Sequence, residues 1–303
     1  MVVLCSAVVV LSSALVFPAP KFGRASVRLQ ALNEGIVNEV VKVGGEMVPT
    51  ERFVEADVGM RFPKFDISER LYAANGPWPD QYPFPPEAFR RQDETDDDQF
   101  YSMPRLCYHI DEGAVRALTN HYKESIPAGS DVLDICSSWV SHYPADFPGT
   151  MGRISATGMN ALELEANQQL SDFAARNLNV DTTLPYEDAS FDVVTCVVSV
   201  DYLTKPLEVF KEVNRVLRPG GKFILSQSNR CFPSKAIAMW LGQTDFQHCL
   251  VIAAYFHYSK GWAPARIFDV SPQGPRTNDP LFVVEAVKGD GPKPLDASRW
   301  LKK

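Results

Sequence analysis

Between positions 184 and 229 the polar and apolar residues change period twice. Residues 191–198 form an apolar, β-branched run with Asp192 as its only charge. A run of strand length and that composition suits a strand buried on both faces, as in a parallel sheet. From Pro206 the pattern turns helical. Leu207, Phe210, Val213, Val216 and Leu217 recur at helical spacing, with Glu208, Lys211, Glu212, Arg215 and Arg218 between them. The pattern puts Arg218 in the last helical turn, where a cation suits the dipole. Pro219-Gly220-Gly221 is expected to stop the helix and turn the chain into a second buried strand over 222–226. Strand, helix, strand implies parallel pairing with a right-handed crossover.

The same reading extends upstream. A helix is expected from Asp111, with Val115, Leu118, Tyr122 and Ile126 on one face. Residues 131–136 read as the first central strand, 153–158 as the second and 174–180 as the third. Asn160 reads as a helix N-cap, with Glu163 completing a capping box and Leu162, Ala166, Leu170 and Phe173 as the helix face. Residues 266–270 and 281–287 read as a closing β-hairpin. The fold class is α/β: a doubly wound, mostly parallel seven-stranded sheet with helices on both faces and an N-terminal arm.

Two motifs carry a resemblance. L-P-Y-E-D-A-S-F-D precedes a strand, and R-V-L-R-P-G-G follows the next helix. This pair resembles class I SAM-dependent methyltransferases of the type 11-like kind, which act mainly on small molecules. The resemblance covers about 131–288 and implies S-adenosyl-L-methionine as cofactor and a small-molecule acceptor. It assigns Asp134 to the acidic position ending the first strand. It sets Cys136, Ser138 and Val140 where the family has glycines, whose backbone approaches the cofactor; Ser137 and Ser138 offer hydroxyls there instead. Asn160 stands where an acidic residue holds the ribose hydroxyls, and Asn177 and Leu178 where the adenine is met. Ser199, Asp201 and Tyr202 follow a central strand at its carboxyl end, where ligands bind in open α/β sheets. Asp201, Tyr202 and His142, with His109, are the candidates for a general base, needed only for a hydroxyl or acidic carbon acceptor.

Composition narrows the choice. A net charge of -7 with no run of Lys or Arg argues against a general nucleic-acid binder. The six cysteines contain no C-x-x-C pair, which favours reduced, packed thiols over disulfides or zinc, and no metal-ligand constellation is visible. Arg230 and Lys235 are candidates for an anionic acceptor, or else solvated or capping cations. Residues 1–31 read as a presequence: an apolar segment too short for a membrane span, then Phe17-Pro18-Ala19-Pro20 and a basic, acid-poor stretch. This resembles bipartite plastid presequences; a secreted protein or a simple apolar N-terminus is the alternative. Residues 32–110 read as an arm and lid, 111–288 as the methyltransferase-like domain and 289–303 as a tail. Within the arm, 61–98 is rich in proline and aromatics, expected to pack onto the domain rather than to bind another protein. The acidic run 93–98 reads as a solvated loop, with metal binding as a second reading. Two rival functions stand beside the enzyme. One is a non-catalytic descendant acting as a ligand-binding regulator or assembly factor. The other is a nicotinamide oxidoreductase, which lacks its G-x-G-x-x-G here. The sequence names no acceptor and no oligomeric state.

Overall fold

The computed structural model describes residues 36–53, 59–275 and 277–289. The presequence assigned to 1–31 and residues 290–303 lie outside the described residues. The arm holds an antiparallel hairpin, β1 (Ile36–Val43) with β2 (Glu46–Phe53), then β3 (Phe65–Asp66), α1 (Ser68–Asn75) and α2 (Asp97–Phe100). Helix α3 (Glu112–Ser125) leads into β4 (Asp131–Ile135), α4 (Phe147–Thr150), β5 (Arg153–Gly158), α5 (Ala161–Ala166) and β6 (Asp172–Ala175). There follow β7 (Phe191–Val197), α6 (Pro206–Val216) and β8 (Leu217–Gln227). Helices α7 (Ala238–Leu241) and α8 (Asp245–Ser259) precede β9 (Arg266–Asp269) and β10 (Phe282–Val287).

The main sheet runs β3-β9-β10-β8-β7-β4-β5-β6. Strands β4 to β8 pair in parallel; β10 runs against β8, and β9, antiparallel to β10, runs with the parallel set. The expected seven strands are joined by an eighth, because the arm lays Phe65 and Asp66 along the edge of β9. Side chains alternate between the two faces, as the period of a strand requires. Val132, Val193, Ile224 and Val283 pack under α3, while Leu133, Val194, Phe223 and Val284 pack with Phe210, Tyr255 and Phe256 of α6 and α8. Among the arm's rings, Trp78 stacks on His257 at 5.6 Å and Tyr82 meets Tyr258 edge-on at 5.2 Å.

Helix α3 is capped as its pattern implies: the Asp111 carboxylate accepts from the Ala114 amide at 2.9 Å. Several expected boundaries move. Helix α6 ends at Val216, and β8 begins at once with Leu217 opposite Phe191. Pro219-Gly220-Gly221 therefore lies inside the strand, at a register shift between Phe191 and Val193, rather than ending a helix. A Cβ at Gly221 would stand 2.9 Å from the Asp192 carbonyl oxygen, so this close passage needs a glycine. Arg218 is not in a helical turn; it pairs with Asp131 and Asp192, each at 2.7 Å. The third strand covers 172–175 rather than 174–180, because Asn177 starts a side-chain turn, its carbonyl accepting from the Asn179 amide. Helix α5 stops at Ala166, so Leu170 and Phe173 are not on it, and Phe173 is 42% exposed on the outer strand.

Candidate functional site

The order of strands reverses between β4 and β7. Chain order runs β4, β5, β6 to one side and β7, β8 to the other. The crevice outside their carboxyl ends is where open α/β sheets place ligands. Cys136 leaves β4 there and Ser199–Tyr202 leave β7.

Asp134 ends β4 almost fully buried, at 1% exposure. It accepts from Ser137 Oγ at 2.6 Å and Thr195 Oγ1 at 2.9 Å. Burial outweighs these bonds and raises its pKa to about 6. Its carboxylate thus ties the loop down to β7. Cys136 adopts φ 54°, a left-handed conformation unusual for a residue with a Cβ. The Ser137 amide donates to the Thr157 carbonyl at 2.7 Å. The glycine that permits this approach is across the crevice: a Cβ on Gly158 would lie 2.1 Å from the Ser137 carbonyl oxygen. Close passage is therefore achieved from β5 rather than from the loop, which the sequence pattern did not single out. Ser138 Oγ donates to Glu163 at 2.6 Å, and Asn167 Nδ2 donates to the Ser138 carbonyl at 3.1 Å.

Asn160 caps α5 through Oδ1, which accepts from Leu162 and Glu163 amides at 2.9 and 3.2 Å. The expected capping box does not close, because Glu163 turns away to accept from the Arg105 amide at 2.7 Å as well as from Ser138. Asn160 Nδ2 donates to the carbonyls of Tyr101 and Ser102 at 2.8 and 3.2 Å. Both ends of this amide are satisfied, the second by the arm. Asn177 Nδ2 reaches Asp98 at 3.3 Å, and Leu178 is buried in the core.

Asp201 is 2% exposed, and its Oδ2 has no hydrogen-bond partner. Burial drives its pKa up to about 8, so the carboxyl is protonated at neutral pH. Tyr202 Oη accepts from the Phe232 amide at 2.8 Å, and Ser199 Oγ donates to the Val197 carbonyl at 2.7 Å. Phe232 gathers Phe100, His109 and Tyr202 around it, with ring centroids 5.4–6.0 Å away. His142 makes different contacts. Its ring lies 5.7 Å from Tyr108, its carbonyl accepts from Thr119, and burial lowers its pKa to about 3, leaving it neutral. Its Nδ1 is buried without a partner.

The acidic run is exposed at Glu94, Asp96 and Asp98, as expected of a solvated loop, but not at Asp97. Asp97 is 5% exposed, held by Arg91 Nη1 at 2.7 Å, Lys235 Nζ at 3.2 Å and Asn179 Nδ2 at 3.0 Å. Lys235 is neither solvated nor free for an anion: it is fully buried and also meets Asp93 at 3.2 Å and the Thr95 carbonyl at 2.7 Å. Arg230 pairs with Asp279 at 2.7 Å. Among the described residues no cluster of His, Cys, Asp or Glu is arranged to hold a metal, and the described cysteines are free thiols. No described helix is long and apolar enough to cross a membrane.

A parallel sheet reversing at β4 and β7, with loop, asparagine and carboxyl groups over that reversal, defines a Rossmann-like architecture of the methyltransferase kind. Residues 151–225 match the family model described as a methyltransferase domain. Over 121 residues the chain is 48% identical to the sterol 4-C-methyltransferase strm-1 of Caenorhabditis elegans, covering 38% of this chain and 36% of the relative. Over 119 residues it is 29% identical to a demethylmenaquinone methyltransferase of Bacillus mycoides, covering 35% of this chain and 47% of the relative. The crystal structure of a SAM-dependent methyltransferase from Aquifex aeolicus aligns over 68% of this chain and 99% of its own, at 14% identity and a TM-score of 0.43. The chain spans less than half the length of these two curated relatives. Over the matched stretch the chain is similar to the methyltransferase domain family.

Proposed function

We propose that the protein is a SAM-dependent methyltransferase acting on a small-molecule acceptor. The observation that carries this reading is the convergence of Cys136 and Asp201 on the β4/β7 reversal, beside a stretch that matches the methyltransferase model. The nearby rings of Phe100, Phe232, Tyr202 and His109 suit an acceptor with a flat or ring-like apolar body. The names of the relatives, a sterol and a demethylmenaquinone methyltransferase, agree with such a body.

With the arm in place, the cleft's polar groups do not fit the cofactor. Asn160 Nδ2 and the Ser137 amide, donors for the ribose and carboxylate, are engaged by protein carbonyls. What the chain's own groups do is hold a proton: below pH 8 the buried Asp201 carboxyl is a donor, and it becomes a base only above that value. An acceptor hydroxyl facing the protonated carboxyl would accept a hydrogen bond from it and be oriented, without losing its proton to it. The N-terminal segment supports a plastid address, read from the presequence alone.

A second reading, a non-catalytic ligand-binding regulator or assembly factor, is favoured by the glycine-free loop Cys136–Val140 and the engaged Asn160. Incubating the full chain with methyl-tritiated SAM and fractionated small-molecule extracts separates the two. Protein-dependent label in an extractable product supports the enzyme. Bound SAM with no labelled product in any fraction supports the regulator.

A further inference from the structure

At the aromatic end of the cleft stands an arginine with no acid on its guanidinium. The Arg105 guanidinium lies 4.5 Å from the centre of the Phe100 ring, 5.6 Å from that of Phe232 and 5.7 Å from that of Tyr101. Its Nη2 donates to the Phe100 carbonyl at 2.8 Å, and its Nη1 is buried without a hydrogen-bond partner. Arg91 and Arg230 each meet a carboxylate at 2.7 Å, whereas Arg105 forms no ion pair among the described residues. A guanidinium taken out of water keeps its charge, so the edges of its fork need acceptors. The rings attract its face but offer Nη1 nothing to donate to.

The neighbouring acids are committed elsewhere. Glu163 accepts from the Arg105 amide at 2.7 Å and from Ser138 Oγ at 2.6 Å, not from the guanidinium. Asp97 is matched by Arg91 and Lys235. The buried Asp201 carboxyl is protonated at neutral pH. His109 faces Phe232 edge-on at 5.4 Å, and loss of water, with the Arg105 charge beside it, lowers its pKa and leaves it neutral as well. In a chain of net charge -7, the ring cluster therefore presents a cation with an unused donor.

We propose that Arg105 is a substrate-recognition residue that takes a carboxylate, and that the acceptor is accordingly an acidic small molecule whose flat body lies against Phe232. This rests on the reading of the ring cluster as the acceptor end of the cleft, given above, and narrows it. A carboxylate is planar, and its two oxygens match two donors of the guanidinium fork, Nη1 among them. The low dielectric among the rings strengthens the pair relative to water. The amino-acid end of the cofactor also carries a carboxylate, so the test separates the two sources.

Calorimetry compares 1-naphthoate with 1-naphthamide, a neutral compound of nearly the same shape, on the full chain with and without excess S-adenosylhomocysteine, whose own binding is recorded in the same way. The proposal expects naphthoate to bind more tightly by about tenfold or more in both conditions. Arg105→Met, which keeps an apolar stem among the rings, should bring the two probes to within about twofold of each other. Two probes taken alike by the wild type, or neither taken, overturn the proposal and leave the methyltransferase reading standing. A preference that survives in full in Arg105→Met overturns it too. A preference abolished by bound S-adenosylhomocysteine gives the fork to the cofactor's carboxylate, against the proposal. A preference that depends on Arg105, in protein that binds no S-adenosylhomocysteine, supports the carboxylate site and counts against the methyltransferase reading alone. Should Arg105→Met fail to fold, Arg105→Lys decides: it keeps the charge but not the fork, so an undiminished preference overturns the proposal and a reduced one supports it.

Discussion

Replacing Asp201 with asparagine should change how stability depends on pH. The carboxyl is fully buried, its Oδ2 has no partner, and its pKa is raised from 3.8 to about 8 by the loss of water around the charged form. Between those values the folded protein binds a proton that the unfolded chain releases. Stability therefore falls as pH rises from about 4 and levels off above about 8. Each pKa unit corresponds to about 1.4 kcal/mol, so this one residue removes about 6 kcal/mol across that window. The amide of Asp201→Asn does not titrate. Any constant cost of that amide shifts the variant's whole curve without tilting it. Asp134, raised to about 6, acts in the same direction, but it is present in both proteins and cancels in the difference. Urea unfolding at intervals from about pH 4.5 to about pH 8.5 gives the two curves. The variant should gain on the wild type by about 4 kcal/mol over that range, nearly all of it below pH 8. Parallel curves would show that Asp201 ionises freely, and the reasoning from its burial would fail.

Lys235→Met should cost about 1.5–3 kcal/mol in urea unfolding, because it removes one of the two cations on buried Asp97 and leaves the Thr95 carbonyl without its donor, while Arg91 still holds Asp97. A loss below about 1 kcal/mol, the scale of a surface pair, would mean that the ion set is hydrated. Gly158→Ala should displace the loop at Ser137, since its Cβ meets a backbone oxygen; a cost of about 1–3 kcal/mol is expected, with ligand affinity falling further than stability. Arg218→Ala should cost under about 1 kcal/mol in the same assay despite two short ion pairs, because Arg218 is 40% exposed and solvent screens it.

The central layer was legible from side-chain period. Continuous apolar runs such as 191–197 report burial on both faces, and the face of α6 follows from its own spacing. What escaped were contacts made by distant residues. Lys235 reads as a surface cation until Asp93 and Asp97 fold onto it from the arm. Glu163 reads as half of a capping box until Arg105 and Ser138 compete for it. Gly158 reads as the end of a strand, and only the packing of Ser137 shows why a side chain is excluded there. For Asn160 the local cap was visible, but the carbonyls that take its amide lie 58 and 59 positions away. The shortened α5 has the same origin: Asn167 turns its side chain to Ser138 and Ser141, and the helix ends there.

Isothermal titration of SAM into the full chain tests most directly whether this fold carries a SAM site. The predicted result is saturable binding at a single site per chain. Absence of saturable heat from protein shown to be folded would contradict it.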